Sequence, residues 1–556
     1  MWRLLVVCLA LLPAFAAADP VFKVIPRDED FSGQPLADLL KRLQSNRDRL
    51  SNFLGIPPSA VPIQVEVFSA LAAKALATQN MQPAHADPLS RTLYLVQNDF
   101  WDGVSLHVEN EFLIAEIIGK SGSRLLEKGL ATWLVPNWQE KGFLYWAHRI
   151  AASHNLPPLT ALLDNDRFQS GSPLVHTALA GAFVSFLIDT RGTQQLLDYY
   201  KTPEALFYQA PSLEKEFHNY LMDCFPSEKT KPVPLDKGYW KGFNFAHEGY
   251  QIYNGYGSNL AKQSLEHMAT TGSNAVAIVP YTFMRDPQLP VPLPFPQRAG
   301  SENDAAVLEA AFQARILGMK TLLKPQIWLR NSWPGDIRMS NPTDWQQFMN
   351  YYRQWIAHYA LLAEMYDFDA FCVGVELVES TQNQPDQWRQ LIRDIRMLYS
   401  GSITYAANWG TEFEQLSFWD ELDYIGLDCY YPLGKETPTS VAALSRTFQQ
   451  VCQKIENISC QFNKPVLLTE IGFRSVTQPW VHPYAEPMGR PANQQHQMMC
   501  YQAVLQELQN QSWCTGILWW KWPSYLDYGG PDNTGFSPAN KLAEQPLQQG
   551  FAQLPH

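Results

Sequence analysis

Two glutamates stand where an apolar run gives out, and carboxylates so placed can do acid–base and nucleophilic work on a single bond. Glu376 closes the run AFCVGVEL (370–377), and Glu470 closes KPVLLTEI (464–471). A carboxylate directly after buried strand residues is costly unless it is paired or used. Cleaving a glycosidic bond with retention needs one carboxylic acid to protonate the departing oxygen and one carboxylate to attack the anomeric carbon, ~5–5.5 Å apart. Either Glu alone also fits a structural ion pair or a helix-entry group. What points to shared chemistry is their placement within a larger pattern.

That pattern consists of eight short β-rich runs separated by helical stretches. The other six are GFNFA (242–246), NAVAIVPY (274–281), MKTLLKPQI (319–327), SITYAAN (402–408), DYIGLDCY (423–430) and CTGILWWK (514–521). Apolar residues near helical spacing predict helices over 301–318, 344–367, 387–399 and 493–510. Apolar strands alternating with helices imply a parallel sheet, and eight such units fit a closed (β/α)₈ TIM barrel over 238–556. Catalytic groups in such a barrel come from the C-terminal ends of strands. Glu376 ends the fourth run and Glu470 the seventh, so the two can face each other across the mouth. Trp328, Trp333, Asn408 and Trp409 lie just past predicted strand ends and are candidate substrate contacts; barrel packing is the alternative for each.

These segments carry a family resemblance. KGFNF, LLKPQIWLRNSWPGD, FCVGVEL, ITYAANW, LDYIGLDCYYPL, KPVLLTEIGF and GILWWKW followed by DNTGFSPANKLA resemble glycoside hydrolase family 113, known for β-mannanases, within the clan of retaining barrel glycosidases. The resemblance implies a retaining hydrolase of a β-linked glycan such as β-mannan or a manno-oligosaccharide. It implies Glu376 as acid/base, Glu470 as nucleophile, Tyr430 as a hydrogen-bond donor to the nucleophile, and Trp519, Trp520 or Trp522 as the floor of the sugar site. One departure stands out. Many enzymes of the clan have Asn before the acid/base, where it binds the sugar 2-hydroxyl; here the residue is Val375. Another donor must then serve, or the preferred sugar differs, or turnover is slow. Glu379, three residues on, could perturb Glu376 or simply be solvated.

Residues 19–225 read as a mainly helical α+β domain, with helices predicted over 35–52, 109–118, 125–134, 174–190 and 193–200 and strands at QVEVFSA and RTLYLVQ. LLEKGLATWLV resembles the segment carrying the third zinc ligand of gluzincin metallopeptidases, with Glu127 at the ligand position, and VHTALAGAFVSFLIDTRGTQQLL resembles a later helix of that group. The group's His-Glu-x-x-His motif places two imidazoles on one helix face. Its nearest counterpart here is Asn110-Glu111-Phe112-Leu113-Ile114, and His107 does not restore the pair. Ile cannot bind zinc and Asn binds it poorly. The resemblance therefore implies a degenerate peptidase-like domain with no metal; an unrelated accessory domain is the alternative, and either could dock a protein partner.

The chain has 556 residues, 46% hydrophobic, with a net charge of -12. No basic run with interleaved aromatics occurs, which argues against nucleic-acid binding. The 13% aromatic content suits either a large core or a sugar cleft. Residues 1–18 read as a secretory signal peptide, with Arg3, an apolar stretch too short to span a bilayer, and a small-residue site at Ala16-x-Ala18. A secreted or periplasmic protein is expected, with no later segment long and apolar enough to cross a membrane. Outside the leader seven cysteines remain, an odd and sparse set, in which Cys452 and Cys460 could form one bridge. Three prolines within 226–237 mark an interdomain linker. No metal or cofactor is expected. The rival readings are a glycan-binding barrel with little or no turnover and an interaction scaffold of the cell envelope.

Overall fold

The structure, a computed structural model, describes residues 21–27, 34–57, 61–101, 108–226, 238–437, 439–487 and 489–555. The leader, nearly all of the 226–237 linker, and His107 lie outside the described residues.

The N-terminal part combines a four-stranded sheet with helices. Strands β1 (Phe22–Pro26), β2 (Ile63–Phe68), β3 (Ala84–Asp87) and β4 (Thr92–Val96) lie in the order β1-β2-β4-β3, with only the β3–β4 pair antiparallel. The helices Gln34–Leu54, Val108–Ile118, Arg124–Trp133, Pro173–Arg191 and Thr193–Lys201 fall where helical spacing placed them. Two longer helices, Phe143–Ala152 and Glu204–Cys224, and three short ones, Leu71–Thr78, Leu159–Leu163 and Asn165–Ser170, lie beside them. Pro173–Arg191 corrects one expectation. Its 19 residues are long and apolar enough to cross a membrane by length and composition. In the fold it is a core helix, with a buried run from Val175 to Leu187 packed against Arg124–Trp133 and Phe143–Ala152. Apolar residues on every face are what a fully enclosed helix requires.

The C-terminal part is a closed barrel. Strands β5 (Trp240–Ala246), β6 (Ala275–Ile278), β8 (Lys320–Leu323), β10 (Ala370–Val375), β11 (Ser402–Asn408), β12 (Ile425–Asp428), β13 (Val466–Ile471) and β14 (Cys514–Pro523) pair in parallel, and β14 closes on β5. Closure brings backbones close: a Cβ on Gly242 would sit 1.7 Å from the Ala275 carbonyl oxygen. Ala275, Ala277, Leu322, Ala370, Cys372, Val375, Ala406, Leu467 and Leu518 belong to a small apolar cluster contributed by these strands. The second and third predicted runs each divide. Beyond Ile278 and Leu323 the chain enters a separate two-stranded sheet, β7 (Tyr281–Phe283) with β9 (Gln326–Trp328).

Side-chain caps account for where the barrel helices begin. Asn303 accepts from the Ala306 N–H, so its helix runs Asp304–Ile316. Asn341 caps Pro342–Met365, with proline in the first turn, where its missing N–H costs nothing. Asn493 caps Gln494–Leu508. Cys452 and Cys460 share the helix Val441–Phe462, and both thiols are free. Eight residues of helix separate them by ~12 Å, beyond the reach of a disulfide, so the bridge entertained from sequence does not form.

The two parts are packed together. Arg149 donates to Glu364 at 2.7 Å and to the Met397 carbonyl at 3.0 Å, with both charged side chains buried. Trp101 Nε1 donates to Glu309 at 2.8 Å. Ser172, which caps the core helix, lies 2.9 Å from His358 Nδ1, and His358 Nε2 lies 2.9 Å from Asp304.

Candidate active site

Glu470 lies near the end of β13 and is 6% exposed. The register between β12 and β13 shifts just before the Asp428–Glu470 pair, a bulge of the sort that re-aims side chains at a barrel rim. Tyr430 Oη donates to Glu470 Oε2 at 2.7 Å, and Gln326 Nε2 donates to Oε1 at 3.0 Å. The Lys324 ammonium, fully buried, also contacts Oε1. Lys324 is in turn 3.7 Å from Asp428 and 3.3 Å from Asn244 Oδ1. Burial disfavours its charge, but Asp428 and Glu470 outweigh burial and raise its pKa. Asp428 is pushed well above the usual carboxylate range, chiefly by burial and by the negative charge of Glu470. The same two influences hold the Tyr430 phenol protonated. A layer of buried, mutually bonded polar groups thus holds Glu470.

Glu376 follows β10 in a different setting. Its backbone has φ 51°, the left-handed region that non-glycine residues seldom adopt. The turn is held by the Glu376 N–H donating to the Ala406 carbonyl at 2.9 Å and the Leu377 N–H donating to Tyr405 Oη at 2.7 Å. Its side chain is half-buried and accepts from Trp333 Nε1 at 2.6 Å. Burial, then the nearby charge of Glu470, pushes its pKa up to about 8, against the lowering effect of the Trp333 bond. Two carboxylates, one held by cation and phenol and one raised toward neutrality, have the divided environments that acid and nucleophile roles require.

Of the three candidate tryptophans on β14, one borders the cleft. Trp520 is half-buried, lines a cavity of about 930 Å³, and has its ring centroid 5.7 Å from Lys324 Nζ. Trp519 and Trp522 are fully buried and face the helical layer: Trp519 stacks on Tyr501 at 3.9 Å, and Trp522 Nε1 donates to Ser264 at 3.0 Å. Alternation of side chains along a strand accounts for the opposite directions of Trp519 and Trp520. Trp328, 48% exposed, lies over Phe283 at 5.5 Å, and both line the same cavity with Tyr250, Tyr281 and Phe536. Asn408 ends β11 half-buried, its N–H donating to Glu412 at 2.7 Å. Trp409 packs on Tyr431 and Tyr484 at 5.1 and 5.8 Å. Val375 is buried in the apolar cluster. Glu379 pairs with Arg338 at 3.8 Å, and the further carboxylate that raises the Glu376 pKa is Glu412.

Sequence reading missed Lys324, Gln326, Asn244, Asp428 and Glu412. Lys324 carried a usable signal, because a lysine directly after the apolar KTLL stretch is as costly as the glutamates that were noticed. Glu412, on a short helix, had none.

The sequence profile of glycoside hydrolase family 113 matches residues 245–541. The chain belongs to this family. This glycoside hydrolase is similar to two solved structures titled as a GH113 beta-1,4-mannanase and as a complex of one, at 26% and 25% identity. In both cases the alignment covers 57% of this chain and 99% of the other, with a TM-score of 0.50. Comparison with curated proteins gives no match.

In the N-terminal domain, the carboxylates that the peptidase resemblance singles out are paired. Glu127 accepts from Arg124 at 2.9 Å and Glu111 from Lys128 at 2.5 Å. Asn110 is buried and donates to the Ala131 carbonyl. Among the described residues no group of three or more His, Cys, Asp or Glu could hold a metal ion.

Proposed function

We propose that this family 113 hydrolase cleaves β-linked mannan or manno-oligosaccharides with retention of configuration, with Glu470 as nucleophile and Glu376 as acid/base. The observation that carries the reading is the contrast between the two carboxyl groups. Glu470 lies against the Lys324 ammonium and accepts a hydrogen bond from Tyr430. Glu376, with its pKa near 8, holds a proton at neutral pH. In the first step Glu376 gives its proton to the glycosidic oxygen as that bond breaks, and a Glu470 oxygen bonds to the anomeric carbon. In the second, Glu376 takes a proton from water, the water oxygen attacks the same carbon from the opposite side, and Glu470 departs as carboxylate. Trp520 offers an apolar floor for the sugar, with Trp328 and Phe283 further along the cavity. The names of the two β-mannanase structures support the choice of sugar.

The test is a glycan panel assayed with the wild type beside Glu470→Gln, with the first-formed anomer read by NMR. Release of the β-anomer from mannan by the wild type alone is the expected result; an α-anomer as first product contradicts retention. Val375 favours a second reading, a barrel that binds glycan but turns it over slowly. Binding across the panel without product would select it. We further propose that the protein is exported by its apolar leader, and that the N-terminal domain is an accessory unit without peptidase activity. Stoichiometric zinc in the purified protein would overturn the latter.

A further inference from the structure

A second cavity, of about 490 Å³, lies between the N-terminal domain and the barrel. The segment 294–304 contributes to both cavities. Phe295 and Pro296 line both, Glu302 lines the cavity bordered by Trp328 and Trp520, and Asn303 and Asp304 line the interdomain one. Each charged side chain lining the interdomain cavity is already paired: Arg124 with Glu127, Lys128 with Glu111, and Asp304 with His358. Burial holds the His176 imidazole neutral. A lining so compensated selects an uncharged ligand, because an ion would have to compete for partners already engaged.

Hydrogen-bonding capacity remains in the lining. Trp138, 5% exposed, has an indole N–H with no partner, and an indole can only donate. His176 Nδ1 is 2.8 Å from the Phe168 carbonyl, which can only accept, so Nδ1 carries the proton and Nε2 is left as an acceptor. Trp138 and His176 both line the cavity, and an unpartnered donor with an acceptor is what a hydroxyl, which both accepts and donates, can serve. Phe168, stacked on His176 at 5.1 Å, and Phe295 add flat apolar faces. We infer that the interdomain cavity is a glycan-binding site that takes a neutral stretch of the same chain cut at Glu376 and Glu470. The inference rests on the mannan reading above. It gives the N-terminal domain a role: that domain completes a site the barrel alone lacks, and longer chains are held better than short ones.

Titration calorimetry on the full chain carrying Glu470→Gln, with mannobiose and mannohexaose, tests this. The hexaose should bind more tightly. Adding Trp138→Phe or Phe168→Ala should weaken hexaose binding about tenfold, the effect of one lost hydrogen bond or stacking face in a desolvated site, while mannobiose affinity stays at the parent value. Trp138→Phe keeps the ring, and Phe168 is only half-buried, so at least one variant should fold. Hexaose binding that both substitutions leave unchanged overturns the cavity proposal alone. Failure of the parent protein to bind mannohexaose contradicts the mannan reading itself.

Discussion

The Lys324 ammonium lies against Oε1 of Glu470 while also facing Asp428, so one buried cation serves two carboxyl groups at the barrel mouth. Removing it leaves the nucleophile candidate without its counter-charge and Asp428 without its buried polar neighbour. Lys324→Met should destabilise the protein by about 3–5 kcal/mol, the range for breaking a buried pair on one side. It should also abolish turnover. Denaturant unfolding beside a mannan assay checks both. A variant as stable and as active as the wild type would remove Lys324 from the account.

Tyr430→Phe deletes one hydroxyl and keeps the ring. The Glu470 Oε2 atom then loses its 2.7 Å donor. A hydrogen bond to a charged group contributes about 1.5–3 kcal/mol, so kcat/KM should fall roughly tenfold to a hundredfold with little change in Tm. Steady-state kinetics on mannan decides; a loss seen only in KM would assign Tyr430 to sugar binding.

The acid role proposed for Glu376 predicts an alkaline limb of activity. With its pKa near 8, the proton is present at neutral pH and kcat/KM declines as pH rises through that value. The Trp333 hydrogen bond favours the ionised form, so Trp333→Phe should move the limb upward. A pH profile of kcat/KM for both proteins is the check. An unchanged limb would mean that a different group controls it.

At the domain junction, burial raises the Glu364 pKa, but Arg149 and Ser400 outweigh burial and hold it below its ordinary value of 4.5. A carboxylate with a depressed folded pKa adds stability above its unfolded pKa and loses it as pH falls through the folded one. The junction should therefore weaken below about pH 4.5. Arg149→Met should destabilise the neutral-pH protein by about 3 kcal/mol and flatten that acid dependence. Thermal melts from pH 3 to 7 would show it; parallel curves for the two proteins would argue against the pair.

Much of the barrel was legible because its strands are buried on both sides and so read as continuous apolar runs. Even there, NAVAIVPY and MKTLLKPQI each proved to be a barrel strand followed by a strand of the small β7–β9 sheet. Nothing in residue type marks that break except the prolines at 280 and 325. The glutamates were visible as charges at the ends of apolar runs. The direction of Trp519, Trp520 and Trp522 was not, because three large aromatics in four positions fit either face of a strand. The bulge before Asp428 and Glu470 also breaks the simple alternation that sequence reading relies on. The long-range bonds from Trp333 to Glu376 and from Gln326 to Glu470 join segments far apart in the chain, which local pattern cannot pair.

The central claim is that Glu470 is the nucleophile. An activated 2-fluoro mannoside should form a stable adduct with the wild-type protein, and peptide mass mapping should place that adduct on Glu470. Glu470→Gln should take up no label. Stoichiometric labelling of any other residue, or equal labelling of the Gln variant, would contradict the account.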